Sequence, residues 1–170
     1  SNRLQQVGEG HGFALPAVRV QIPVESLGGK ALALGHLNIS QDVDGGVRSE
    51  PLVVQYFDQF YPSLALMIAA RSLNLGPADI RVRLGEEVRL GKLRITTDAA
   101  TRMNTFYYRG SEGRPAFQQD SFYDVLSGKI PVSKYAGKIV LIGATAAGSG
   151  APQVTPVSPS MPPVLTLAHT

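Results

Sequence analysis

Residues 80–97 read IRVRLGEEVRLGKLRITT, the most regular alternating pattern in the chain. Apolar and basic residues alternate along it, beginning with Ile80 and Arg81. A period of two places successive side chains on opposite faces of a β-strand. Gly85 and Gly91 interrupt the alternation, and each is followed by a charged residue, as is typical of a turn. The stretch therefore predicts a pair of half-buried strands or a short meander, with its arginines aligned on the outer face.

A helix is predicted upstream of this stretch, over Pro62–Leu73 (PSLALMIAARSL). Pro62 suits the first helical position, because its fixed φ is helical and its missing N–H needs no partner there. Few polar positions precede Arg71, so we expect the helix to be buried on most sides. The segment Asn74–Pro77 (NLGP) ends it.

A β-hairpin is predicted before the helix. Ala31–Ile39 (ALALGHLNI) is an apolar, strand-like run, and Val47–Tyr56 returns as the second strand. Between them, Gln41–Gly46 (QDVDGG) is rich in turn formers, and Asp44 followed by Gly45 is its strongest turn signal. The two runs are therefore expected to pair with each other.

Three further elements are predicted downstream. Thr105–Arg109 (TFYYR) indicates an aromatic strand in the core, or alternatively a stacking platform for single-stranded nucleic acid. Ser121–Gly128 indicates a short helix, with a capping-box pattern at its start and Gly128 in the left-handed position at its end. Lys138–Thr145 (KIVLIGAT) is a continuous apolar run, the kind of strand that is buried on both faces.

The fold class that these elements indicate is α/β or α+β: a single compact domain with a mixed β-sheet and a few helices, three-layer-like. We expect residues 31–146 to form the core and residues 1–30 to be poorly defined, with Phe13–Pro23 extended. Residues 147–170 form an uncharged, Pro-rich C-terminal segment. The five prolines within residues 139–170 exclude a helix over most of that stretch.

Composition narrows the class of protein. The chain has 170 residues, close to the length of one domain, and its lack of cysteine excludes disulfides, thiol nucleophiles and Cys-ligated metals. Residues 71–114 hold nine basic and five acidic residues, although the whole chain has a formal charge of only +3. This local excess fits either an anionic partner or an ordinary solvated face. No signal peptide or membrane-spanning run is visible, so we expect a soluble piece trimmed from a membrane protein.

Motifs for catalysis and metal binding are incomplete. The glycine-rich loop Gly143–Gly150 follows the predicted buried strand, but Ser149 stands where a phosphate-binding loop needs lysine. A hydrolase triad needs a placed histidine, and His36, inside an apolar run, fits a core residue better. Asp42 and Asp44 resemble a fragment of a calcium loop but fit turn-forming carboxylates better. We therefore predict no catalytic residue, no metal site and no cofactor.

A series of short motifs, in order over about residues 35–156, resembles the CHASE2 family of bacterial extracytoplasmic sensory domains. Each motif is weak alone, and their order makes the resemblance specific. The motifs are Gly35-His36-Leu37-Asn38, Asp42-x-Asp44-Gly45, Val47-Arg48, Pro51-Leu52, Pro62-Ser63-Leu64-Ala65-Leu66, Thr97-Asp98, Tyr107-Tyr108-Arg109-Gly110, Asp124-Val125-Leu126-Ser127-Gly128, Gly137-Lys138-Ile139-Val140-Leu141-Ile142-Gly143-Ala144-Thr145-Ala146 and Thr155-Pro156.

The resemblance implies the C-terminal portion of a periplasmic or extracellular input module, truncated at its N-terminus. In such receptors the module lies between an N-terminal anchor and several transmembrane helices, outside the inner membrane. The implied output domain is a histidine kinase, a Ser/Thr kinase, an adenylate cyclase or a diguanylate cyclase. The implied partner is an unknown small molecule or a periplasmic protein. No nucleic-acid partner is expected, and a homodimer remains an open alternative.

A non-catalytic sensor is the function that the sequence favours, with a ligand or partner shifting it between two arrangements. Two alternatives stay open: a structural or dimerising module, and an enzyme or nucleotide-binding fragment built around Gly143–Gly150. Polar side chains amid apolar walls would hold a ligand. The candidate ligand-binding residues are Asn38, Asp98 and Arg109, and Arg109 would suit an anion.

Overall fold

The structure, a computed structural model, describes residues 2–112, 114–146 and 150–170. Helices occur together with several β-sheets, and the sheets contain both parallel and antiparallel strand pairs. This mixed content confirms the predicted α+β class and the predicted mixed sheet.

The chain packs as two compact units. The first consists of Ser1–Asp42 and Arg48–Thr105, and the second of Val43–Val47 and Phe106–Thr170. Each unit is described by itself below.

Ten strands and two helices lie before residue 105. The strands are β1 (Gln6–Gly8), β2 (Leu15–Pro16), β3 (Ser40–Gln41), β4 (Val47–Pro51), β5 (Val53–Tyr56), β6 (Gln59–Pro62), β7 (Ile80–Arg83), β8 (Glu87–Leu90), β9 (Leu93–Thr96) and β10 (Arg102–Asn104). The helices are α1 (Glu25–Gly28) and α2 (Leu64–Ser72), with a 3₁₀ turn at Pro77–Asp79. Three sheets result, with strand orders β1-β7-β8-β9, β10-β4-β3 and β2-β5-β6.

The predicted meander over residues 80–97 is confirmed. Strands β7, β8 and β9 pair antiparallel in sequence, and β1 joins β7 in parallel. Ile80 and Val88 are fully buried, whereas Arg81, Arg89 and Arg94 are exposed. Alternation of apolar and basic residues thus predicted the three strands and the faces of β7 and β8 correctly, whereas Leu93, on the predicted apolar face of β9, is 49% exposed.

Helix α2 confirms the predicted helix, with its start shifted by two residues. Leu66, Met67 and Ala70 bury one face of α2 in the core of the first unit. Pro62 is the last residue of β6 and not the first helical residue. Ser63 caps the helix instead, because its Oγ accepts the Leu66 N–H at 3.1 Å.

The predicted hairpin is wrong in its first strand. Ala31–Ile39 contains no strand, and only a single bridge joins His36 to Ser63. The His36 N–H donates to the Pro62 carbonyl and its carbonyl accepts from Leu64, so this segment lies against the start of α2. Strand β4 pairs instead with β10 on one side and with the two-residue β3 on the other. The turn between β3 and β4 lies where Asp44 and Gly45 predicted it.

The second unit contains two helices and one two-stranded sheet among its described residues. Its elements are α3 (Phe122–Leu126), a 3₁₀ turn at Val132–Tyr135, β11 (Gln153–Thr155), β12 (Ser158–Met161) and α4 (Pro163–His169). Helix α3 confirms the predicted helix: the Ser121 Oγ accepts the Asp124 N–H, and Gly128 has φ +77°. None of the residues of α3 is buried, however.

Two predicted strands do not form. Thr105–Arg109 follows β10 without a ladder, and Phe106 is 75% exposed, so the expected aromatic core strand is wrong. Lys138–Thr145 also has no strand pairing, and Ile139 and Ile142 are 66% and 76% exposed. An apolar run becomes a buried strand only where neighbouring strands accept hydrogen bonds from its N–H groups and donate hydrogen bonds to its C=O groups. None does so within the part of the chain that the structure describes.

The C-terminal segment is more regular than its prolines predicted. Strands β11 and β12 pair antiparallel, and α4 occupies most of the last eight residues. Pro163 lies in the first turn of α4, where its missing N–H would be unpaired in any residue. The prolines therefore mark the start of this helix and do not exclude it.

Candidate functional site

A cleft of about 260 Å³ opens in the second unit, and all the residues that line it belong to that unit. Its walls come from the segment after β10, from residues 115–119, from β12 and from α4. We call it the Arg109 cleft, after the sequence-predicted residue that lines it. Its volume lies just below the roughly 300 Å³ at which pockets for drug-sized ligands begin, so it suits a small molecule.

Helix α4 supplies one wall of the Arg109 cleft. Leu165 and His169 both line it, and they are four residues apart on one helix face. Val157, in the turn between β11 and β12, and Met161, the last residue of β12, extend the apolar surface. Phe117 also lines the cleft, and its ring packs edge-on against the His169 ring at a centroid distance of 4.8 Å.

His169 is the best-defined polar group of the cleft. Its side chain is 6% exposed, and its Nδ1 accepts the backbone N–H of Tyr108 at 3.2 Å. Burial lowers the pKa of His169, so the ring is neutral near pH 7. A neutral imidazole whose Nδ1 accepts must carry its proton on Nε2. No acceptor for that Nε2–H is found among residues 2–112, 114–146 and 150–170.

Arg109 provides the positive charge of the cleft. Its side chain is exposed, and within the described part of the chain its guanidinium makes no ion pair or hydrogen bond. Among the residues that the structure describes, no aspartate or glutamate lines the cleft. An unpaired guanidinium beside apolar and aromatic walls attracts an anion, preferably one with two acceptor oxygens.

The other two sequence-predicted residues, Asn38 and Asp98, lie in the first unit. Asn38 is exposed, and its backbone N–H donates to His36 Nδ1 at 3.2 Å. Asp98 accepts from the Arg102 guanidinium at 2.7 Å and from the backbone N–H groups of Ala100 and Arg102. Burial acts to raise the pKa of Asp98, but these hydrogen bonds outweigh it and hold the pKa below its ordinary value. The Asp98 carboxylate is thus engaged in its own turn.

The first unit also buries a polar cluster that sequence analysis missed in part. The Ser63 hydroxyl, at the start of α2, hydrogen-bonds the Glu50 carboxyl. Burial raises the pKa of Glu50 to about 7, against a smaller lowering by that hydrogen bond. His36, bridged to Ser63, is half-buried with its Nε2 atom fully covered, and this burial lowers its pKa to about 4. No alternation of apolar residues around Glu50 signals its burial from the sequence.

The glycine-rich loop is only partly visible, because Ala147–Ser149 lie outside the described residues. A Cβ added at Gly143 would lie 2.5 Å from the Val164 Cβ, so Gly143 allows a close approach to α4. The Asp44 Oδ1 accepts the Gly46 N–H at 3.0 Å, as expected of a turn-forming carboxylate, whereas Asp42 forms an ion pair with Arg48 at 2.7 Å. Among the described residues, no group of three or more His, Asp or Glu side chains could hold a metal ion.

His169 was not among the residues that the sequence pointed to. A signal does exist: Pro162 and Pro163 are followed by VLTLAH, a run free of Gly and Pro. Prolines that start a helix would place His169 one turn after Leu165. The helix is not predicted because the five prolines within residues 139–170 argue against a helix over most of that stretch.

In the described ranges, no helix is long and apolar enough to cross a membrane. No curated protein and no solved structure matches the chain. The family model of the CHASE2 domain matches residues 2–170. The chain therefore belongs to the CHASE2 family, a family of extracytoplasmic sensory domains.

Proposed function

We propose that this chain is the sensory input domain of a bacterial transmembrane receptor, and that a small molecule binds in the Arg109 cleft. The observation that carries the proposal is the joint position of Arg109 and the buried His169 in one cleft of the second unit. The domain lies on the periplasmic side of the inner membrane. Its output partner is a histidine kinase, a Ser/Thr kinase, or an adenylate or diguanylate cyclase in the same receptor.

Signalling requires that the ligand bind one arrangement of the domain more tightly than another. The cleft suits this role because its walls come from separate segments, and the Tyr108–His169 hydrogen bond links two of them. A ligand that contacts both segments favours the arrangement in which they are joined. The domain itself needs no catalytic group for this task, and Asn38 and Asp98 stay secondary candidates for ligand contacts.

A thermal-shift screen against metabolites, anions and metal ions tests the proposal. A ligand at a hundredfold excess over its Kd stabilises the native state by about 2.7 kcal/mol. For a chain of this length, that raises Tm by roughly 5–10 °C. We expect a saturable shift that Arg109→Ala reduces and that Arg19→Ala, an exposed arginine of the first unit, leaves intact. Equal shifts in both variants would place the ligand elsewhere.

A dimerising module is the second candidate function. It is favoured by apolar side chains that the second unit leaves exposed along residues 122–142. They are Phe122, Leu126, Val132, Ile139 and Ile142. Sedimentation equilibrium separates the two functions: a dimer that Ile142→Lys dissociates, with no small-molecule shift in Tm, would favour the module.

A further inference from the structure

We infer that the Arg109 cleft takes a small organic monocarboxylate whose body is apolar or aromatic. This inference rests on the proposed function and names the chemical class of its ligand. It is carried by three features of the cleft: its charge, its buried donor and its apolar wall.

The charge of the cleft selects an anion. Arg109 lines the cleft without an ion pair in the described part of the chain, and no acidic residue shares the lining. A guanidinium offers two parallel N–H donors, which match the two oxygens of a carboxylate. A cationic ligand would meet only repulsion there.

The buried donor, His169, limits how many oxygens of the ligand can receive a hydrogen bond in the cleft. His169 presents Nε2–H as its remaining ring donor, since its Nδ1 is taken by the Tyr108 N–H. The donor stays available across neutral pH, because the buried ring does not need to be charged to donate. The Nε2–H of His169 and the Arg109 guanidinium together donate to one planar anionic group of the ligand. A phosphate or sulfate, with more oxygens to satisfy, would leave some of them without donors.

The apolar wall selects the rest of the ligand. Phe117, Val157, Met161 and Leu165 line the cleft beside the two donors. Inorganic anions would gain nothing from this surface, whereas an aliphatic or aromatic body buries area against it. The volume of about 260 Å³ restricts that body to a single ring or a short chain.

Isothermal titration calorimetry on the full chain tests the inference with four probes: benzoate, hexanoate, benzamide and inorganic phosphate. We expect the two carboxylates to bind at least about tenfold more tightly than benzamide, because charge-assisted hydrogen bonds exceed neutral ones. We expect a similar margin over phosphate, because phosphate has no apolar body to bury against the wall. Arg109→Ala should weaken carboxylate binding by about 10- to 100-fold. Arg114→Ala, an exposed arginine of the same unit outside the lining, should leave it unchanged.

The contribution of His169 has a separate readout. Long-range ¹⁵N–¹H spectra should show its proton on Nε2, and benzoate should shift that resonance. This measurement needs no variant, so it holds even where His169→Gln fails to fold. A proton on Nδ1 would overturn the role of His169.

The inference and the proposed function fail differently. Benzamide or phosphate binding as tightly as benzoate would overturn the carboxylate class and leave the cleft as a ligand site. Carboxylate binding that Arg109→Ala does not weaken would overturn the placement. A third outcome is that neither carboxylate binds at concentrations up to about 10 mM, while a compound of another class raises Tm in the wild type but not in Arg109→Ala. That outcome would overturn the carboxylate as the ligand class and leave the cleft as the ligand site.

Discussion

At the residue scale, Ser63 connects several features of the first unit. Its Oγ accepts a hydrogen bond from the Leu66 N–H and so caps α2. The same hydroxyl also forms a hydrogen bond with the Glu50 carboxyl. Its backbone neighbours bond to His36. Two titratable groups of opposite behaviour thus lie against one fully buried serine. Their pKa shifts make opposite predictions for how stability depends on pH.

Glu50 should destabilise the native state as pH rises. Its pKa is raised from 4.5 to about 7, so the native state binds its proton more tightly than the unfolded state does. The stability it contributes is present below pH 4.5 and is lost as pH rises to about 7. His36→Gln isolates this slope. Urea titrations of that variant should show stability falling by about 2 kcal/mol between pH 4.5 and 7.

His36 should act in the other direction. Its pKa is lowered from 6.5 to about 4, so its contribution is present above pH 6.5 and is lost as pH falls to about 4. Glu50→Gln isolates this slope, and the two slopes largely offset each other in the wild type. The double variant is the control, and it should lack both slopes. A Glu50→Gln curve parallel to that of the wild type would contradict the burial of Glu50.

At the scale of elements, the sheet of β7, β8 and β9 places three arginines in one row. Arg81 lies opposite Arg89, and Arg89 lies opposite Arg94. The buried carboxylate of Glu87 binds Arg89 at 2.6 Å and also binds Arg94. Hydrogen bonds and charge from these arginines hold the pKa of Glu87 below its ordinary value. Arg81 has no ion pair in the described part of the chain.

Arg81→Thr should therefore stabilise the chain. Like charges directly opposite each other on neighbouring strands destabilise a sheet, and threonine suits a strand. We expect a gain of about 0.5 kcal/mol in the free energy of unfolding at low salt, shrinking as salt screens the row. The matched control is Arg83→Thr, which removes an ion pair with Glu86 at 3.0 Å. A loss of stability in Arg81→Thr as large as in Arg83→Thr would contradict the account.

The contact of Gly143 with α4 gives a second prediction at this scale. Gly143→Ala would force a Cβ to within 2.5 Å of the Val164 Cβ and push α4, which carries His169, away. Overpacking of this kind costs about 1–3 kcal/mol. We expect lower Tm and a changed Tyr108 amide resonance. Gly150→Ala is the control, because a Cβ there meets nothing within 4 Å; equal effects of the two variants would argue against the contact.

Helices and strands were predicted correctly from the sequence where the local pattern of apolar residues matches the surface that the folded chain buries. Alternation over residues 80–97 and the apolar run before Arg71 gave the meander and α2, since both patterns describe faces that this chain itself buries. Lys138–Thr145 has an equally clear pattern, yet strand pairing depends on neighbours that a local pattern does not contain. The same limit applies to Ala31–Ile39, where backbone bonds to the start of α2 compete with a ladder.

At the scale of the whole molecule, family membership was predictable and the site only in part. Ordered motifs identified the CHASE2 family, which the match over residues 2–170 confirms. Arg109 was predicted as an anion-binding residue, and its place in a cleft supports that role without testing it. Predicting His169 as a site residue required the helix at the end of the C-terminal segment, and the five prolines argued against a helix there. Burial of its ring is a tertiary property, and no residue type encodes it.

The most direct test of the account is an ¹H–¹⁵N correlation spectrum of the full chain, titrated with benzoate. We expect saturable shifts concentrated at the Tyr108, Arg109, Leu165 and His169 amides, because these residues line the Arg109 cleft. Arg109→Ala should abolish the shifts at the same benzoate concentration. Shifts confined to the first unit, or unchanged by Arg109→Ala, would contradict the claim that this cleft is where the domain binds its ligand.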